Sequence, residues 1–461
     1  MLGWGPTLVV AMLVAACGSS GGGGGSTADS VGEQWPVYGH DASNTRTNTS
    51  ETEIDATSVS ELTKSWEIDE LVGVTGTPTV SDGVAYFGDW KGVIWAVEAD
   101  TGDEVWTSEI GGMVVGAPAV DGDAVYVSSG HSLFRLDRAT GAQEWRAETD
   151  DHPQAQINAS PVVVDGLVLQ GTATFENVLV KDEYTFRGSI GAYDVASGEE
   201  RWRLSTTPAD ATSGPGAGVW STPAVDEERG LIFVGTGQSL SEPTAPLTDS
   251  ILAIDYETGT LEWSTQFTYP DVFSAAHPEG KDADVGASPN LWTSDGQDLV
   301  GAGDKGGTFH ALDRDTGEVV WETALTPGSV FGGQIGSSAF VDGSLIASSN
   351  VGDPESNAPT DVTKVFALDP ATGDVRWTSE DFPGKIFAPI GAVPGVAFVG
   401  TDRGMLAALD TGTGEQLWSF EAPAKTGCGP SIVDGRVLWG YGFTLFDGPG
   451  PGGVLSFAID A

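Results

Sequence analysis

The amino-acid sequence predicts an all-β fold: a single eight-bladed β-propeller with four antiparallel strands per blade, the last blade closed by the N-terminal strand. Three observations carry this reading. The first is a turn followed by a tryptophan: an acidic residue, two spacers, Thr or Ser, Gly, three spacers, Trp. It recurs seven times, ending at Trp106, Trp145, Trp202, Trp263, Trp321, Trp377 and Trp418. The second is a small residue with Pro, an apolar pair, a Gly turn and an alternating run. It recurs eight times, as in "GTPTVSDGVAYFG" (Gly76–Gly88) and "GPSIVDGRVLWG" (Gly429–Gly440). The third is the spacing: 40 residues from Trp66 to Trp106, 39 from Trp106 to Trp145 and 41 from Trp377 to Trp418. A period near forty residues with four short strands per unit is the signature of propeller blades.

Taken from the N-terminus, residues 1–17 read as a lipoprotein-type signal peptide. The apolar run Thr7–Ala16 is ten residues long, too short to span a bilayer as a helix. Its ending, Val14-Ala15-Ala16-Cys17, resembles a bacterial lipobox, in which the cysteine thiol takes a diacylglycerol. A plain secretory signal with a chance cysteine is the alternative. Residues 18–34 begin "GSSGGGGGST", a flexible tether of the kind an anchored domain needs, and this favours the lipoprotein. The mature protein is then expected to be exported and lipid-anchored on the extracytoplasmic side, touching the membrane through its lipid alone. Lipid on Cys17 leaves Cys428 single, so no intramolecular disulfide is expected.

Residues 35–461 form the propeller. In each turn the Gly supplies a positive φ, and the acidic residue and Thr can bond the turn's own amides. A large flat side chain at one fixed place per unit is most simply packing between neighbouring blades, so no chemistry is assigned to these tryptophans. The first of the series, Trp66 in "ELTKSWEI", has no turn before it, and the last unit, after Trp418, has three strand-like runs and no terminal Trp. The strand of Trp66 therefore completes the last blade and closes the ring, which removes free sheet edges. The four central units run 56 to 61 residues and so carry insertions, which in a propeller are loops at one end of the ring where a site can be built.

The formal net charge is −46, from 66 acidic and 20 basic residues. Nucleic-acid binding needs a basic footprint, so that class is excluded, and charge-driven binding to anionic lipid with it. The acidity reads as a solvated surface that keeps the chain soluble; adaptation to high salt gives the same composition. The five histidines show no metal-ligand spacing, and there is no Gly-x-Ser-x-Gly, P-loop, dinucleotide fingerprint or Cys-x-x-Cys-His haem site.

The turn-plus-tryptophan unit resembles the repeat of pyrroloquinoline quinone (PQQ) dehydrogenases and of their non-catalytic relatives, among them the lipoprotein scaffold of the outer-membrane β-barrel assembly machinery. Segments outside the repeat are more discriminating. "WPVYGHDASNTRTNTSETEIDATSVSELTKSW" (Trp35–Trp66), "GVWSTPAVDEERGLIFVGTG" (Gly218–Gly237) and "DADVGASPNLW" (Asp282–Trp292) are similar to quinoprotein dehydrogenases, above all to polyvinyl-alcohol-dehydrogenase-like proteins. The resemblance implies PQQ and calcium as cofactors. On it, Trp220 is the tryptophan on which the planar quinone stacks, though an inner-strand core aromatic is the other reading of that residue. Glu176 falls near the acidic calcium ligand, and Gln238 stands where the dehydrogenases usually carry a metal-binding Asn. Asp282 and Asp284 both fall where the family places its catalytic base. Lys305 matches a cation that hydrogen-bonds the quinone oxygens. The Cys-Cys pair that caps the cofactor in many of these enzymes is absent, and without a haem site electrons would leave to a separate acceptor.

Two functions follow. One is a membrane-tethered PQQ-dependent alcohol dehydrogenase-like oxidoreductase, oxidising a small-molecule or polymeric alcohol by hydride transfer to the quinone. The other is a propeller lipoprotein without chemistry, a scaffold or binding platform for envelope proteins. The likeness to the catalytic branch over long stretches favours the enzyme. That reading requires Trp220, Glu176, Gln238, Lys305 and at least one of the two aspartates to meet at one mouth of the central channel.

Overall fold

In the computed structural model, residues 34–180, 183–208, 213–278, 281–356, 358–443 and 450–459 are described. The expected signal peptide, Cys17 and nearly all of the expected tether lie outside them. Eight antiparallel sheets follow one another along the chain, each with a four-stranded path, and the third and sixth carry one extra short strand. Among the described residues helix is confined to two short pieces, Val59–Glu61 and Glu176–Leu179.

Each blade starts with a short inner strand, such as Thr79–Ser81 in blade one or Ala224–Asp226 in blade four. Asp-Gly pairs then turn the chain into the second strand. At Asp82-Gly83, Asp165-Gly166, Asp295-Gly296, Asp342-Gly343 and Asp434-Gly435 both residues have positive φ, the geometry of the tight hairpin that matches strand twist. Inner strands of neighbouring blades touch around the ring, that of blade eight touching that of blade one, and Ser160 N at the start of blade three donates to Thr222 Oγ1 at the start of blade four at 3.0 Å, so the ring closes. Closure is by the N-terminal strand: Leu62–Val72 pairs antiparallel with Pro451–Ile459 and forms the outer edge of blade eight.

The repeated Trp and Gly turn out to be partners across blades. The indole of Trp106, in the outer strand of blade one, donates to Arg138 O at 2.9 Å in the turn of blade two. Gly141 of that turn lies against the same ring, where an added Cβ would fall 2.4 Å from it. The pattern repeats from Trp66 on Gly102 through to Trp377 on Gly414. Trp418 has no such turn to meet, because blade eight joins its third and fourth strands from opposite ends of the chain; its indole donates instead to Leu62 O at 3.0 Å.

The segment Trp35–Asn48 runs along the inner strands. It bonds Val80 of blade one through Trp35, Val120 of blade two through Pro36 O, Val225 and Leu291 of blades four and five through Ala42 O and Ser43 O, Phe340 of blade six through Thr45 O, and Ala392 of blade seven through Arg46 O. The Asn48 side chain donates to Ile432 O of blade eight at 3.0 Å. Tyr38, from the middle of this strap, faces the central channel and bonds Ser337 Oγ at 2.7 Å.

Candidate active site

In a four-stranded antiparallel blade, the start of the inner strand and the end of the second strand lie at the same end of the ring. Trp220 precedes the inner strand of blade four and Gln238 follows its second strand, Leu231–Gly235. Asp282 and Asp284 precede the inner strand of blade five, Asn290–Ser294, and Lys305 follows its second strand, Gln297–Gly303. The fold thus brings these five to one end of the channel, where all of them line a single cavity of about 790 Å³.

At its centre is one cation between two buried carboxylates. Lys305 Nζ donates to Asp282 Oδ1 at 2.9 Å and to Asp284 Oδ2 at 2.7 Å. Asp284 has a second donor, the Gln238 backbone N–H, at 2.6 Å from Oδ1. Burial works against the Lys305 charge, but the two carboxylates outweigh it and raise the ammonium above its ordinary range. Burial pushes the Asp282 carboxyl up to about 7; the Lys305 charge pulls it down and the Asp284 charge adds to the rise. The two aspartates therefore differ. Asp284 is held by two donors, whereas Asp282 bonds Lys305 alone, so Asp282 is the carboxylate that can take and release a proton near neutrality.

The Lys305 Nζ also lies 5.5 Å from the centroid of the Trp220 ring, within cation–π range. The indole rests on Gly286, where a Cβ would fall 1.7 Å from the ring; only glycine there admits this placement. Trp220 is half-buried and turns toward the cavity.

Two further acids stand behind this array, and no motif in the sequence marks them. Asp249 is fully buried and neither of its carboxyl oxygens has a hydrogen-bond partner. Asp271 is equally buried; its Oδ2 accepts from Ala283 N at 2.8 Å, the amide between Asp282 and Asp284, and its Oδ1 has no partner. Burial, with the charge of Asp284 adding, raises Asp271 to about 8. Burial and the charges of Asp271 and Asp284 hold Asp249 well above the usual carboxylate range.

Glu176 stands apart from the cavity wall, while its neighbour Asn177 lines it. The Glu176 carboxylate accepts from Thr185 N at 3.0 Å and Phe186 N at 2.8 Å, and His152 Nε2 lies 3.6 Å away. It organises its own insertion. His310, in the strand that follows Lys305, is held between Asp304 and Glu322, at 3.0 and 2.8 Å, and stacks on Phe267.

The family model described as outer membrane protein assembly factor BamB matches residues 50–277, 247–353 and 361–443. The chain belongs to this PQQ-repeat propeller family. Among curated relatives of this PQQ-repeat chain, the polyvinylalcohol dehydrogenase of a Pseudomonas species is 29% identical over 91% of the chain and 72% of the relative. The quinohemoprotein alcohol dehydrogenase of Comamonas testosteroni is 25% identical over 92% and 76%. The crystal structure of that enzyme superposes with a TM-score of 0.76 at 22% identity, covering 93% of this chain and 80% of its own. BamB from Moraxella catarrhalis superposes with a TM-score of 0.60 at 17% identity, covering 86% and 99%. Both structures share the fold.

The residues of this PQQ-repeat propeller fit a planar polar quinone. Trp220 offers a ring face, Lys305 a cation beside it, and Asn158 and Asn177 line the cavity with one unpartnered side-chain oxygen each. They do not form a cage of acidic ligands for calcium. Among the described residues no three acidic, histidine or cysteine side chains gather to hold a metal. The Glu176 carboxylate accepts from the Thr185 and Phe186 amides, and Gln238 Nε2 donates to Phe273 O at 3.1 Å, so the oxygen Gln238 could offer a cation is Oε1.

Proposed function

We propose that this chain is a PQQ-dependent alcohol dehydrogenase-like oxidoreductase of the cell envelope, anchored by lipid at Cys17, that oxidises an alcohol and passes electrons to a separate acceptor. The observation that carries the reading is the Asp282–Lys305–Asp284 array set against Trp220 in the channel cavity. A bound quinone supplies the two-electron acceptor that side chains lack. Trp220 is its platform. Lys305 donates to a polar group brought against the indole while its charge is balanced by Asp284. Asp282, with a single donor and a carboxyl raised to about 7, accepts the hydroxyl proton of the alcohol as its carbon gives up hydride. No part of this is routed through a metal.

The test is to load the purified protein with PQQ and measure quinone retention and dye-linked oxidation of a panel of alcohols. Retention and dye reduction are expected, with Asp282→Asn abolishing reduction while retaining quinone, and Lys305→Met weakening both. A protein that neither holds quinone nor reduces dye refutes the enzyme. It would leave the scaffold reading, which the description of the matched family favours.

A further inference from the structure

The cavity has a second wall that the chemistry above leaves unused. The array and Trp220 come from blades four and five; in a ring of eight, blades eight and one stand opposite. From there Trp90 and Phe443 line the same cavity, joined by Phe387 of blade seven and Met113 from the loop leading into blade two. All four are half-buried, and all four reach the cavity. Trp90 meets Phe443 edge-on at 6.2 Å, and Phe443 meets Phe387 at 5.3 Å.

These rings are fixed in place. The Trp90 indole donates to Thr75 Oγ1 at 3.0 Å. Gly73, at φ 59°, lies so close beneath it that a Cβ would come within 2.7 Å of the ring, and at Gly427 a Cβ would come within 2.8 Å of Phe443. Aromatic surface held open in a channel loses the free energy that burial would return. Rings that fill a core turn no face to a cavity. Preformed cavities with an apolar wall and a few convergent polar groups are the usual architecture of small-molecule sites.

We propose that Trp90, Phe443 and Phe387 form the subsite for the apolar body of the alcohol, with its hydroxyl at Asp282 and its chain or ring lying across the channel. The substrate class is alcohols with an extended aliphatic or aromatic body, in preference to one- and two-carbon alcohols. This rests on the oxidoreductase reading for its chemistry, but the affinity of the wall needs no turnover.

The test is equilibrium binding of ethanol, butanol, hexanol and octanol to the full chain, with and without PQQ, followed by calorimetry. Affinity should rise by about fourfold per added methylene. Trp90→Ala and Phe443→Ala should each weaken octanol by about tenfold and leave ethanol unchanged. Trp90→Phe, which keeps an aromatic face and spares the fold, should retain most of the octanol affinity. A flat series, or unchanged octanol binding in Phe443→Ala and Trp90→Ala, overturns the subsite. Chain-length-dependent binding without dye reduction would sink the oxidoreductase and leave the wall standing; dye reduction with a flat series would do the reverse.

Discussion

Replacing Asp249 by Asn should change how stability depends on pH. Asp249 is buried, and neither of its carboxyl oxygens has a partner at hydrogen-bond distance. Its burial, then the charges of Asp271 and Asp284, keep it protonated far above the usual range. Asp271 at about 8 and Asp282 at about 7 are shifted the same way by the same leading cause. In the unfolded chain each ionises near ~3.9. Raised carboxyls contribute stability that is complete below the unfolded value and is lost as pH rises through the folded one. Between roughly pH 5 and 7 the folded protein thus holds protons that the unfolded chain has released, and each lowers stability by about 1.4 kcal/mol per pH unit. Asparagine keeps the shape and removes one such proton. The stability of Asp249→Asn should therefore fall with pH less steeply, by up to about 1.4 kcal/mol per unit, and the variant should gain on the parent as pH rises above the unfolded carboxylate range. The net charge of −46 also weakens the folded state toward high pH by self-repulsion, but it is nearly common to both proteins and cancels in the difference. Urea unfolding at fixed salt from acid to mildly alkaline pH reads this directly. Parallel stability curves would refute the reasoning, since they would mean that Asp249 is no more protonated folded than unfolded.

Gly317→Ala places a Cβ 2.5 Å from Trp263 at a φ of 71°, so it should cost about 2 kcal/mol or more; paired with Trp263→Ala, the combined loss in a denaturant series should be smaller than the sum of the two. Cys17→Ser should move the protein from the membrane fraction to the soluble one, and unchanged membrane association would end the lipoprotein proposal.

The blade count was legible because it is written in short-range chemistry: a turn needing positive φ and a flat side chain at one register. What the repeat does was only half legible. Trp106 and Gly102 sit in one motif, yet Trp106 packs on Gly141 of the next blade, and linear spacing says nothing of which neighbour a side chain meets. Trp220, Gln238, Asp282, Asp284 and Lys305 lie at strand ends that the antiparallel order forces to one face, so locating them in the sequence also located them in the ring. Asp249 and Asp271 gave no signal: each looks like a solvated acid at the edge of a strand or loop, and only the stacking of blades four and five buries it. Trp90 and Phe443 meet across nearly the whole length of the chain, a pairing that exists only once the ring is shut.

That dependence on closure extends to the whole site. The cavity draws on residues of all eight blades, and the strap Trp35–Asn48 precedes the strand that closes blade eight. Arg46 in the strap is fully buried, and burial pulls its guanidinium down to about 10. Its donors go to Ile390 O and Pro430 O of blades seven and eight, to Thr77 Oγ1 of blade one and to Tyr38 O. Its charge faces the rings of Trp35 and Tyr38 at 5.2 and 4.9 Å. A buried cation bonded to carbonyls is tolerable only when all of those carbonyls are in place. Blades seven, eight and one must therefore be assembled before Arg46 is satisfied, and Tyr38, which lines the cavity, is positioned by the same contacts. An incomplete ring would leave a buried charge short of partners and a site short of its floor, so closure of the propeller and formation of the cavity are one cooperative event.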